Sequence, residues 1–173
     1  FGQSFFKLRS SNFLIEGLKK YLLSLNKINE NWNPINILSR HASTVGSYDL
    51  NIVSGDINSN EVLKKTLNNE FEVIFLIGKD NLEFTKKNEF IIYIGSHGDK
   101  GAEFSDVILP GAAYTEQDAH YTNLEGQIQK AYQATYPPGD AKEDWEIFNN
   151  LSKYIKRKKI FNTKDNMVSD MLD

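Results

Sequence analysis

The chain has 173 residues, 40% hydrophobic and 25% charged, so it can bury one globular core but is too short for two large domains. Its formal charge of -3, from 23 acidic and 20 basic residues, argues against the basic face that nucleic-acid binding needs. Cysteine is absent, which excludes disulfides, thiolate-held zinc or iron–sulfur centres and cysteine nucleophiles from these residues.

The longest apolar runs, Val73 to Ile77 and Phe90 to Ile94, fall far short of the roughly twenty residues of a membrane-spanning helix. No direct membrane span is expected. Phe5 and Phe6 are followed at once by Lys7 and Arg9, the wrong order for a signal peptide. The chain opens on Phe1 rather than methionine, so the lack of a leader carries no meaning. Asparagine, lysine and isoleucine are abundant, while arginine is confined to Arg9, Arg40 and Arg157. This bias answers no folding requirement and matches an AT-rich genome, that of an organelle or a reduced bacterium.

Leu14, Leu18, Leu22 and Leu25 recur at helical spacing and predict a helix over 12–25 with Asn12 as its cap. Asn26 to Pro34 reads as a loop, Ile35, Ile37 and Leu38 as a short strand, and a helical turn follows from Arg40. Asn58 and Glu61 have capping-box spacing and open a short helix that would bury Val62, Leu63 and Leu67. Phe71–Ile77, Phe90–Ile94 and Val107–Leu109 are nearly continuous runs of β-branched and aromatic residues. Parallel strands buried on both faces read this way. The dozen residues between the first two runs leave room for a short helical crossover. The class predicted is α/β, a mostly parallel sheet with flanking helices.

Tyr114 to Tyr136 reads as an irregular, aromatic segment that bears function or an interface. Pro137-Pro138-Gly139 breaks the chain, and Asp140 with Glu143 forms a second capping box. The helix it opens has Trp145, Phe148, Leu151 and Ile155 on its inner face. A partial α/β domain over 1–155 is then followed by a polar tail over 156–173.

Gly95-Ser96-His97-Gly98-Asp99-Lys100-Gly101 is glycine-rich and follows a strand, where α/β sheets bind ligands. It lacks both the P-loop and the GxGxxG spacing, so it reads first as a structural turn. His41, His97 and His120 have no ligand spacing. Ser96, His97 and Asp99 are too close in sequence for a triad, and there is no GxSxG elbow. Glu116 and Asp118 read as solvated carboxylates or caps before they read as an acid/base pair. The basic run Lys153 to Lys159 reads as an exposed helix end that suits the helix dipole, or as a docking patch for an acidic neighbour. No catalytic, cofactor-binding or metal-ligating residue is assigned.

Gly95-Ser-His-Gly-Asp-Lys-Gly-Ala102, Asp106-Val-Ile-Leu-Pro-Gly-Ala-Ala-Tyr-Thr-Glu116 and Asn123-Leu-Glu-Gly126 with Gln129 closely resemble the C-terminal part of the large iron–sulfur subunit of respiratory complex I. Pro137-Pro-Gly139 and Glu143-Asp-Trp145 fit the same family's closing helix, and Trp32 to Leu50 and Phe71 to Gly78 match in order. The resemblance implies a molybdopterin oxidoreductase-like fold that has lost its cofactor and serves as a scaffold in NADH:ubiquinone oxidoreductase. Gln127, Leu124 and Ser105 depart from the family's usual arginine, threonine and alanine. The missing arginine removes a bidentate contact to an anionic cofactor.

The resemblance also implies that the iron–sulfur clusters and FMN sit in partner chains. One partner would be a cysteine-rich polypeptide carrying the missing N-terminal part, from a split gene. Others would be peripheral-arm subunits on the matrix side of the mitochondrial inner membrane. A fragment of an active molybdopterin enzyme such as formate dehydrogenase is the alternative, and an independent nucleotide-binding protein ranks last. A sheet of this size would leave an unpaired edge or an uncovered apolar face, normally met by a partner. Tyr114, Tyr121, Tyr132 and Tyr136 supply interface-type aromatics or pack internally.

Overall fold

The computed structural model describes residues 1–52, 59–79, 85–98, 100–156 and 158–172. The chain divides into two compact units. One comprises 1–52 and 120–129, the other 53–119 and 130–173.

The first unit opens with a 3₁₀ helix, Gln3–Lys7, and helix α1, Ser11–Ser24. Asn12 lies inside the first turn of α1 rather than capping it, because the preceding turn through Ser10 already starts the helix. The inner stripe is Ser11, Ile15, Leu18 and Leu22, while Leu14 and Leu25 are exposed. The leucine spacing centred the stripe about a tenth of a turn away from where the packing puts it. Ile35 to Leu38 forms no strand, since Leu38 makes only an isolated parallel bridge to Gly2. The Leu38 N–H donates to the Phe1 carbonyl at 2.7 Å, and the N-terminal ammonium donates to Asn36 O at 2.6 Å. The helical turn expected from Arg40 begins at Thr44, as α2, Thr44–Asp49.

The second unit holds α3, Ser59–Leu67, whose expected cap Asn58 lies outside the described residues. Val62, Leu63 and Leu67 are exposed there, because no described element covers them. Three strands follow in a parallel sheet of order β1-β2-β3: β1 Val73–Ile77, β2 Phe90–Gly95 and β3 Val107–Pro110. Ile92 is opposite both Phe75 and Val107, and Ile94 is opposite Ile77 and Leu109. The crossover expected between β1 and β2 falls largely on 80–84, outside the described residues.

Only β2 is buried as the runs suggested. Ile91, Tyr93 and Ile94 are closed off, whereas Val73, Phe75, Ile77, Val107 and Ile108 are exposed. The reason is position, because β1 and β3 are both edges. On one face Ile74, Leu76, Ile91 and Tyr93 pack with Ala102 and Phe104, beside the short helix α4, Lys100–Glu103. On the other lies α5, Asp144–Lys156, whose Phe148 ring stands 6.0 Å from Phe75.

The capping box proposed at Asp140 does not form, and the helix begins four residues later. The Glu143 carboxylate instead accepts from the Trp145 indole N–H at 2.8 Å and pairs with Lys164. Ile147, Asn149 and Ser152 are the buried residues of α5, and Ile155 is 71% exposed, contrary to its expected inner position. The stripe is rotated because the following chain folds back on the helix. Asn149 Oδ1 accepts from the N–H groups of Ile160 and Phe161 at 2.9 and 3.0 Å, and its Nδ2 donates to Phe161 O at 2.8 Å. Within the stretch read as a polar tail, Lys164–Leu172 forms α6.

The segment 114–136, read as irregular, contains a two-stranded hairpin of β4, Ala119–Thr122, and β5, Ile128–Ala131. Its turn is built by Asn123. The Oδ1 atom accepts from the N–H groups of Glu125 and Gln127, both at 2.9 Å, and Gly126 has φ +79°. The alternation in β4 and β5 is too short and too polar to show as a strand signal.

Candidate functional site

Two clefts collect the motif residues, one in each unit. In the second unit a cleft of about 230 Å³ lies just beyond the ends of β2 and β3, the usual ligand position in an α/β sheet. Gly95, Ser96, His97, Gly111, Glu116 and Pro138 line it.

Tyr93 explains the glycine-rich loop. The ring is 1% exposed, lies under the loop, and its Oη donates to His97 O at 2.6 Å. A Cβ on Gly95 would stand 2.3 Å from that Oη, and one on Gly101 would stand 2.6 Å from Lys79 O. The glycines therefore let the backbone close over a buried tyrosine, which is the structural-turn reading in atomic form. Ser96 Oγ and His97 Nδ1 are 2.9 Å apart, and Asp99 lies outside the described residues.

The carboxylates near the cleft are committed to the backbone. Glu116 Oε2 accepts from the Ala113 N–H at 2.9 Å. Asp118 Oδ1 accepts from the Gln133 N–H at 2.7 Å, and Oδ2 lies 3.3 Å from Lys130 Nζ. The Gln133 N–H, with Lys130 behind it, holds the Asp118 carboxyl below its usual range. Asp144, whose Oδ1 would be 3.1 Å from a Cβ on Gly111, is pushed up by burial and then by neighbouring Glu143.

Asp106, first residue of the Asp-Val-Ile-Leu-Pro motif, is a clasp. Its N–H donates to Ile91 O, and its Oδ2 accepts from the Ile91 N–H, both at 2.8 Å. The Ile91 N–H and then Lys86 hold its carboxyl low.

In the first unit a cleft of about 560 Å³ is lined by Ser39, His41, Tyr121, Asn123, Glu125 and neighbours. Its residues include the hairpin turn described above. His120 lies in β4 and is half-buried, and it lines neither cleft. Among the described residues no group of three or more His, Asp or Glu side chains is placed to hold a metal ion. No helix among them is long and apolar enough to cross a membrane. The residues that sequence reasoning missed are Tyr93 and Asn149. Tyr93 looked like ordinary strand filling, and a mid-helix asparagine carries no local signal of a long-range clamp.

These features define an α/β protein with motif-bearing turns at the C-terminal end of a parallel sheet. Comparison with known proteins then places the chain. A family model described as molybdopterin oxidoreductase matches residues 1–154, and the chain belongs to that family. It is 45% identical over 129 residues to the NADH-ubiquinone oxidoreductase 75 kDa subunit of Reclinomonas americana, covering 74% of this chain and 18% of that protein. It is 43% identical to the mitochondrial NADH-ubiquinone oxidoreductase 78 kDa subunit of Candida albicans, over 73% of this chain and 17% of the relative. It is 45% identical over 140 residues to an NADH-quinone oxidoreductase subunit of Rickettsia conorii, covering 80% of this chain and 19% of the relative. The chain thus spans about a fifth of the length of these relatives.

A molybdopterin cofactor would bring an anionic phosphate, and the two motif-bearing clefts do not fit it. Among the described residues neither cleft is lined by a lysine or arginine, and each presents a carboxylate, Glu116 in one and Glu125 in the other. Gln127, at the position where the resemblance expects arginine, is exposed on the hairpin turn.

Proposed function

We propose that these residues form a structural, redox-inactive part of the large iron–sulfur subunit of NADH:ubiquinone oxidoreductase. The observation that carries this is 45% identity over most of the chain to subunits of NADH-ubiquinone and NADH-quinone oxidoreductases. The local chemistry agrees with a scaffold role. Among the motif residues, Asp106 Oδ2, Asn123 Oδ1 and Glu116 Oε2 each accept from backbone N–H groups.

The clusters belong to other parts of the assembly, because no thiolate is available here, and FMN belongs with them. The relatives carry a further four-fifths of sequence that these residues do not match, and the iron–sulfur clusters belong with that cysteine-bearing part. The chain binds no cofactor by itself and works at the matrix side of the mitochondrial inner membrane with other peripheral-arm subunits.

Native electrophoresis of membranes from the source cells, read by mass spectrometry and NADH-dehydrogenase staining, tests this. Peptides of this chain are expected in the active complex I band. Their migration in a molybdenum-containing formate dehydrogenase band instead would overturn the proposal.

A further inference from the structure

We infer that residues 34–38 are the second strand of a parallel βαβ unit, and that its first strand is a stretch of the same polypeptide running into Phe1. The edge of 34–38 is thus a docking surface for an extended apolar segment. This goes beyond the complex I reading and does not depend on it.

A rung of parallel ladder carries the inference. The Phe1 nitrogen donates to Asn36 O at 2.6 Å, the Leu38 N–H donates to Phe1 O at 2.7 Å, and Gly2 bridges Leu38 in parallel. One residue bonding to both neighbours of its partner is the pattern of parallel strands, not of a turn. The connection has the matching length and content. Residues 3–34 join the two sides of the rung and contain α1. Parallel neighbours need a crossover, usually helical, in a unit of roughly thirty residues. A crossover helix packs its apolar stripe on the strands that it joins, and in α1 Ile15, Leu18 and Leu22 are only half-buried. A fuller first strand covers the rest.

The rung also sets register and chemistry. With Gly2 opposite Leu38, Phe1 lies opposite Ile37, the residue before Phe1 opposite Asn36, and the one before that opposite Ile35. Backbone groups alternate between the two edges of a strand. The Pro34 carbonyl and the Asn36 N–H therefore belong to the edge whose Asn36 carbonyl and Leu38 N–H bond to Phe1. Pro34, with no N–H to offer, suits the first position of a strand. Ile35 is half-buried and Ile37 is 48% exposed, both on one face. The residue two before Phe1 shares that face and is apolar and β-branched. The whole first strand is an apolar run of about five residues ending at Gly2.

The test uses the full-length polypeptide in its own membranes. Residues 1–173 contain no cysteine, so Asn36→Cys, at an exposed position, adds a single thiol to them. It is combined with a cysteine either directly before Phe1 or one residue earlier, and disulfides are mapped by mass spectrometry after oxidation. Only the first pair shares a face at a spacing that a disulfide spans, so its yield is expected to be roughly tenfold above the second. Equal yields, no bond, or a bond from position 36 to a different polypeptide overturns the inference. So does an intact mass that makes Phe1 the first residue. Hydrogen exchange on the unsubstituted protein covers a folding defect in the variants. The Asn36 amide is expected to exchange roughly a hundredfold slower than an exposed amide, and exchange at the exposed rate overturns the inference. Migration with complex I is read separately. Its loss in the unsubstituted protein defeats the complex I reading alone, and co-migration without the strand defeats the strand alone.

Discussion

Gly95 shows how a sequence motif becomes a packing constraint. Tyr93 is locked by burial and by its bond to His97 O, so it has no room to yield to a methyl group 2.3 Å away. Gly95→Ala is expected to cost about 1–3 kcal/mol, as overpacking does, measured by urea denaturation. Asp106 gives a prediction with a sign. Its folded-state pKa is lowered, so its contribution to stability is fully present above the unfolded value of about 3.9 and is lost as pH falls through the folded value. Asp106→Asn is therefore expected to be less stable than the parent at pH 7, with the gap closing in acid. A stability difference that stays constant from pH 7 to pH 2 would contradict this.

At the scale of elements, α5 organises the second unit. Its Phe148 meets β1, its Ile147 and Leu151 wall a groove at β3, and its Asn149 ties down the chain at 160–161. Asn149 is 4% exposed and satisfies three backbone groups. Asn149→Ala leaves those groups unpaired where water reaches them poorly, a loss of about 1–3 kcal/mol. Hydrogen exchange localises the effect, with faster exchange expected at the Ile160 and Phe161 amides and little change in β2. The hairpin shows the same economy, since its turn is made by bonds to Asn123 Oδ1 and a positive-φ Gly126.

For the whole molecule, the uncovered apolar surface decides behaviour. Val73, Ile77 and Ile108 are each about half exposed on the edge strands, at 50%, 51% and 54%. Unpaired strand edges bearing such residues associate. The isolated chain is therefore expected to self-associate with rising concentration and to bind a hydrophobic dye, measured by light scattering and dye fluorescence. A dye-free monomer at all concentrations would show that the exposed faces need no partner.

What the sequence determined alone was whatever depends on neighbouring residues. Nearly continuous β-branched and aromatic runs at Phe71–Ile77, Phe90–Ile94 and Val107–Leu109 pointed to three parallel strands, the first of which begins at Val73, and the motif around Gly95, Asp106 and Asn123 carried the family resemblance. The tertiary structure alone decided which side of each element is covered. Leu14 and Ile155 match a helical period as well as Ile15 and Ile147 do, yet only the second pair faces protein. Periodicity fixes a stripe only to within its own width, and what lies opposite sets the rest. The clamp at Asn149, the clasp at Asp106 and the tyrosine under the glycine loop join residues brought together only by folding. Hydrogen bonds and close contacts of that kind leave no period in a linear sequence.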